Sequence, residues 1–167
     1  MSEHEIELRV NGQLYASVVP SRQSLVDFLR DDLKLKGTHV GCEHGVCGAC
    51  TVLIDGAPAR SCLVFAVMAD ECAITTVEGL SDGPELSVLQ DAFWESHAMQ
   101  CGYCTPGMLI AAHSLLLQNA TPSDSQIRDA LSGNICRCTG YVQIVDAVQL
   151  AATRLTSQSR AGEENPR

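Results

Sequence analysis

The chain has 167 residues, a formal net charge of −9, 46% hydrophobic residues and 4% aromatics. The acidic surplus excludes a nucleic-acid binder, which needs clustered Lys and Arg, and an anionic membrane surface as partner. The hydrophobic content excludes a disordered chain. With so few aromatics the core is filled by Val, Leu, Ile and Ala.

In chain order, Glu5 to Val10 alternates polar and apolar residues, Asn11-Gly12 is a strong two-residue hairpin signal, and Gln13 to Val19 resumes the extended pattern. Ser24 to Leu33 has helical spacing, with Leu25, Phe28, Leu29 and Leu33 on one face. Thr51 to Ile54 with the Asp55-Gly56 turn predicts a second hairpin, and Ala73 to Val77 a last short strand. The run from Glu78 to Glu85 turns to Gly, Ser, Asp and Pro and reads as a linker.

Beyond it every long segment has helical period. Helices are expected over Leu86 to His97, over Pro106 to Gln118 with Thr105 as N-cap, over Ser123 to Leu131 with a Ser123–Gln126 capping box, and over Tyr141 to Leu155. Four helices with short connections predict a bundle. The fold class is therefore α+β. The division expected is residues 1–79, residues 80–157, and a polar, frayed C-terminal tail over 158–167. Each half is small enough to need a metal, disulfides or a partner for stability.

The opening residues Met-Ser-Glu-His-Glu-Ile carry no export signal, and no apolar stretch approaches a membrane span, so a cytoplasmic chain without membrane insertion is expected. Nine cysteines in such a chain point to metal ligands rather than disulfides.

Cys42, Cys47 and Cys50 follow C-x4-C-x2-C spacing, with Cys62 further along; this is the plant-type arrangement for a 2Fe–2S cluster. Gly41, Gly45 and Gly48 allow the backbone to wrap closely round such a core and aim N–H groups at its sulfurs. Zinc is the rival, but zinc ribbons show two C-x2-C knuckles and this loop has one. Cys42-Glu43-His44 raises a Rieske centre, which fails because no histidine follows Cys47 or Cys50. His44 reads as an exposed loop residue.

A second set comprises Cys101, Cys104, Cys136 and Cys138, two close pairs each preceding a predicted helix. Two helix N-termini would then face one four-thiolate site, where their partial positive charge favours anionic ligands. A thioredoxin-like reading of Cys101-x2-Cys104 lacks its βαβ context and leaves Cys136 and Cys138 idle. Cys72 is the odd cysteine and reads as a small buried hydrophobe.

The runs Gly41-Cys42-Glu43-His44-Gly45-Val46-Cys47-Gly48-Ala49-Cys50, Gln100-Cys101-Gly102-Tyr103-Cys104-Thr105-Pro106-Gly107 and Gly133-Asn134-Ile135-Cys136-Arg137-Cys138-Thr139-Gly140-Tyr141 closely resemble the small iron–sulfur subunit of the molybdenum hydroxylases, the xanthine oxidase family. The resemblance implies a β-grasp ferredoxin domain followed by a four-helix-bundle 2Fe–2S domain. It implies a large subunit carrying a molybdenum–pterin (cytosine) dinucleotide and a medium subunit carrying FAD, assembled as a dimer of heterotrimers. Electrons would run from molybdenum to the helical-domain cluster, then to the ferredoxin-domain cluster, then to FAD. It also implies that Gln100 and Cys138 lie against the pterin. A free-standing two-cluster ferredoxin-like shuttle is the alternative. The chain itself shows no dinucleotide fingerprint, phosphate loop or nucleophile–base constellation, so no catalytic residue is expected on it.

Overall fold

Strands β1 (Glu3–Val10) and β2 (Gln13–Pro20) pair antiparallel with Val10 opposite Gln13. Asn11 and Gly12 between them both have positive φ, 51° and 82°, the mirror-image turn whose twist suits a hairpin. This computed structural model describes residues 2–81 and 83–163. Along β1 the buried residues alternate as Ile6, Leu8 and Val10. They meet Leu25, Phe28 and Leu29 of the crossing helix to form one core, joined by Val19, Val52 and Ile74.

That helix, α1 (Leu25–Asp27), starts at Ser24, whose hydroxyl accepts the Asp27 N–H. It widens into a π-type turn over Phe28–Asp32, with the Leu33 N–H reaching back to the Phe28 carbonyl. Strands β3 (Thr51–Ile54) and β4 (Ala57–Arg60) form the second hairpin, and β5 (Ala73–Thr75) completes a mixed five-stranded sheet. The order is β2-β1-β5-β3-β4, with β5 parallel to β1 and antiparallel to β3. The last strand stops at Thr75 rather than Val77. The Asn11 side chain accepts the Thr76 N–H and donates to the Thr76 hydroxyl, which turns the chain into a short helical turn over Val77–Leu80.

Four helices follow: α2 (Val88–Glu95), α3 (Thr105–Gln118), α4 (Asp124–Leu131) and α5 (Val142–Glu163). Phe93, Met108, Ile127, Ile144 and Val148 centre a second, separate core. Ser87 and Ser123 each make a reciprocal capping box, with Gln90 and Gln126. At α3 the expected cap shifts: Cys104 is the N-cap, with no side-chain capping bond, and Thr105 lies inside the first turn. A thiol is a poor backbone acceptor, which leaves the Cys104 sulfur for other use. Helix α5 runs past the expected end at Leu155 to Glu163, so residues 158–163 of the expected frayed tail are helical and 164–167 lie outside the described residues. Among the described residues no helix is long and apolar enough to cross a membrane.

The two cores meet along a seam in which α3 packs on β3 and β4. Gly107 is why α3 can approach so closely: a Cβ there would stand 2.2 Å from the Gly48 carbonyl oxygen.

Candidate iron–sulfur centres

The first set of thiols sits in the loop leading into β3. Gly45 and Gly48 take φ of 82° and 74°, and the non-glycine Glu43 is also left-handed at 56°. This repeated reversal turns backbone N–H groups inward, the geometry of an anion-binding nest. Those of Cys47, His44 and Val46 bond to the Cys42 sulfur and, with the Cys47 thiol, hold its pKa down to about 6. Cys50 is buried, and Cys62 arrives from the turn after β4. Burial and then the neighbouring Cys50 thiol push Cys62 up to about 11. Ser61 fixes that turn by donating from its buried hydroxyl to the Cys50 carbonyl at 2.7 Å. A Cβ on Gly41 would come within 3.0 Å of the Cys47 sulfur, so the loop is closed tightly over its thiols.

The second set is assembled from two places far apart in sequence. Cys101 and Cys104 precede α3, and Cys136 and Cys138 lie in the loop before α5. Cys138 and Cys101 sulfurs are 3.5 Å apart, both exposed. Cys104 and Cys136 form the inner pair, and their thiols hydrogen-bond. Burial and then Cys136 raise the Cys104 thiol to about 12. Burial also opposes ionisation of Cys136, but the Thr139 hydroxyl and N–H, with other donors, carry it below its ordinary value. The Tyr103 N–H, followed by the Cys138 thiol, lowers Cys101.

Donor chemistry and spacing both fit a dinuclear core. Each set offers four soft thiol ligands that meet as two pairs, Cys42 with Cys47 and Cys50 with Cys62, then Cys101 with Cys138 and Cys104 with Cys136. A 2Fe–2S core takes two thiolates per iron. Among the described residues no group of three or more His, Cys, Asp or Glu is gathered tightly enough for a single metal ion.

The two loops touch. The Ile135 N–H donates to the Cys47 carbonyl at 2.9 Å, and Ile135 is bonded directly to Cys136. Beside this link the buried Asn134 amide donates to the Gly48 carbonyl at 3.0 Å and to the Thr51 hydroxyl at 3.3 Å. Arg60 donates to Thr51 and to the Gly133 carbonyl, each at 2.6 Å. Tyr103, between two cysteines of the second set, donates its hydroxyl to the Val40 carbonyl, and its ring stacks on His39 at 4.8 Å. Asn134, Ile135 and Tyr103 lie in the runs that carry the family resemblance, but neither their bridging role nor Arg60 shows in any local pattern; only the meeting of the two cores gives them these partners.

His44 is exposed and its Nδ1–H donates to the Cys42 carbonyl, as expected of a loop residue. Cys72 is half-buried at the edge of the first core, not fully inside it. Burial and then Asp55 push its thiol up. Gln100 is exposed, next to the exposed Cys101.

Family comparison matches residues 8–78 to a 2Fe-2S iron-sulfur cluster binding domain and residues 76–149 to a [2Fe-2S] binding domain. The chain is 55% identical over 152 residues to the caffeine dehydrogenase subunit gamma of Pseudomonas sp. (strain CBB1), covering 89% of this chain and 91% of that one. It is 55% identical to the nicotine 6-hydroxylase small subunit of Paenarthrobacter nicotinovorans, covering 86% and 87%. Among solved structures, quinoline 2-oxidoreductase from Pseudomonas putida 86 superposes with a TM-score of 0.90 at 50% identity, covering 93% of this chain and 97% of that chain. The aldehyde oxidoreductase of Desulfovibrio desulfuricans superposes at 0.89 and 42% identity, covering 92% of this chain but only 17% of that longer one. With two 2Fe–2S binding domains and relatives this close along nearly its whole length, the chain belongs to the small iron–sulfur, electron-transfer subunits of the xanthine oxidase family of oxidoreductases.

Proposed function

We propose that Cys42, Cys47, Cys50 and Cys62 ligate one 2Fe–2S cluster and Cys101, Cys104, Cys136 and Cys138 the other, in a β-grasp ferredoxin domain (residues 1–79) and a four-helix-bundle domain (residues 80–157). When bound, each cluster carries one electron at a time, and the chain relays electrons from a molybdenum–pterin centre on a large subunit to FAD on a medium one. The observation that carries this reading is the direct link between the two thiol sets: the Cys47 carbonyl accepts the Ile135 N–H next to Cys136. The chain's own residues keep that link short. Asn134 and Arg60 hold the loops together, and Gly48 and Gly107 leave no side chain between them.

The exposed edge at Gln100, Cys101 and Cys138 is where the second set opens to the outside. A glutamine amide offers two donors and an acceptor, which suits Gln100, with the Cys138 sulfur, to contact with the pterin of the large subunit. That the same fold makes up a small part of a longer oxidoreductase chain favours a permanent subunit over a free shuttle. The complex is a cytoplasmic dimer of heterotrimers in this reading.

The test is to express the chain with its large and medium partners and measure metal, sulfide and turnover. About four irons and four sulfides per small chain are expected, with caffeine and nicotine, the compounds in the relatives' names, as the first substrates tried. Gln100→Ala should keep both clusters yet slow their reduction by substrate, followed by stopped flow, or lower molybdenum retention. A small chain holding half that iron, or a Gln100→Ala complex matching wild type in both readouts, would refute the corresponding assignment.

A further inference from the structure

Cys136 is set apart from the other thiols by a side-chain hydroxyl. Thr139 Oγ1 lies 3.1 Å from its sulfur, and the Thr139 N–H donates to the same sulfur at 3.4 Å. The direction of the hydroxyl follows from its other neighbour. The Tyr141 N–H donates to Thr139 Oγ1 at 3.2 Å, which occupies the oxygen as acceptor and leaves its single hydrogen for the sulfur. A ligating thiolate has no proton to give, so the hydroxyl must be the donor. The ring closes through Tyr141, whose phenolic oxygen accepts the Cys136 N–H at 2.9 Å. Gly140 and Tyr141, both left-handed at φ of 70° and 72°, fold the chain back so that one short turn serves sulfur and backbone together.

We infer that Thr139 is a potential-setting residue, its hydroxyl donating to the Cys136 sulfur so as to raise the reduction potential of the second cluster. This rests on the ligand assignment proposed above. A donor aimed at a ligand sulfur stabilises the more negative, reduced form, so removing it makes reduction harder. Cys136 is also the residue bonded to Ile135 in the link to the first set, so the adjustment falls on the thiolate at the junction between the two centres. Thr139 touches no substrate; it acts through the sulfur.

The experiment is an EPR-monitored redox titration of the assembled complex carrying Thr139→Val, Thr139→Ser or Cys136→Ser. Thr139→Val is expected to keep the iron and sulfide of both clusters. It should shift the second cluster's reduced-to-oxidised ratio about tenfold toward oxidised at fixed potential, a fall of about 59 mV for one electron. The first cluster should not move, and Thr139→Ser should restore the wild-type value. If valine disturbs the turn enough to lose the cluster, Thr139→Ala gives the same readout without a branched side chain. An unchanged potential with full iron, or a fall that serine does not restore, overturns the inference. The ligand reading fails separately: Cys136→Ser retaining a wild-type second cluster would show it in the iron content and the EPR signal, whatever Thr139 does.

Discussion

In the proposed assignment, the two thiol sets solve one coordination problem by different means. The first is largely local: three cysteines lie within nine residues of one loop, and glycines plus a left-handed Glu43 turn its N–H groups onto Cys42. The second is assembled across the fold, with helix ends and the loop before α5 bringing Cys101 to Cys138 and Cys104 to Cys136. A local loop can hold its shape through backbone conformation alone. A site drawn from distant segments depends on the packing of the helices that carry it, and so couples cluster binding to the second core.

Ligand loss should break this comparison most sharply. Cys50→Ser should remove about half the iron and sulfide while the helical half keeps its helicity, because its core is separate. Cys136→Ser should remove the other half and also lower the thermal stability of the helical half, since α3 and α5 lose a shared anchor. Metal analysis with circular dichroism on both variants checks the pair, and equal effects on helix melting would erase the distinction.

Gly48→Ala comes next. Its φ is 74°, and a Cβ would meet the Gly133 carbonyl at 2.5 Å and the Asn134 side chain at 2.7 Å. The cost is about 1–3 kcal/mol, read by denaturant unfolding. Magnetic interaction between the reduced clusters should weaken as the seam opens. Arg60→Ala removes donors from Thr51 and Gly133 at the same seam and should cost about 1–3 kcal/mol. Both clusters should remain, as read by metal content.

The smallest effects lie away from the thiols. Burial lowers the pKa of the half-buried His113 on α3. The unfolded chain therefore binds its proton more readily, and stability should decline as pH falls through the ordinary histidine value of about 6.5. Urea midpoints across that range should flatten in His113→Gln. Cys72→Ser should leave iron content unchanged and cost under about 1 kcal/mol, because its thiol is only half-buried. Iron loss in that variant would mean a ligand has been misassigned.

The hairpins at Asn11-Gly12 and Asp55-Gly56, the capping box at Ser123, and the family were legible in the sequence, because each rests on residues close together in the chain; the Ser87–Gln90 box, which starts α2 at Val88 rather than Leu86, was not read there. One boundary shifted through a distant partner. Asn11 ends the last strand at Thr75 by bonding Thr76. The length of α5 was missed because its polar last turns lack the apolar stripe by which a helix is recognised, while backbone hydrogen bonding does not need one.

The sequence by itself determined the two cysteine sets and the elements that carry them, because turn chemistry, helical periodicity and ligand spacing are local. Only the tertiary structure decided how the second set pairs and that Cys47 meets Ile135. The pairing brings together segments far apart in the chain through helix packing, and the Cys47–Ile135 and Gly48–Asn134 contacts exist only once two separate cores have packed along one seam.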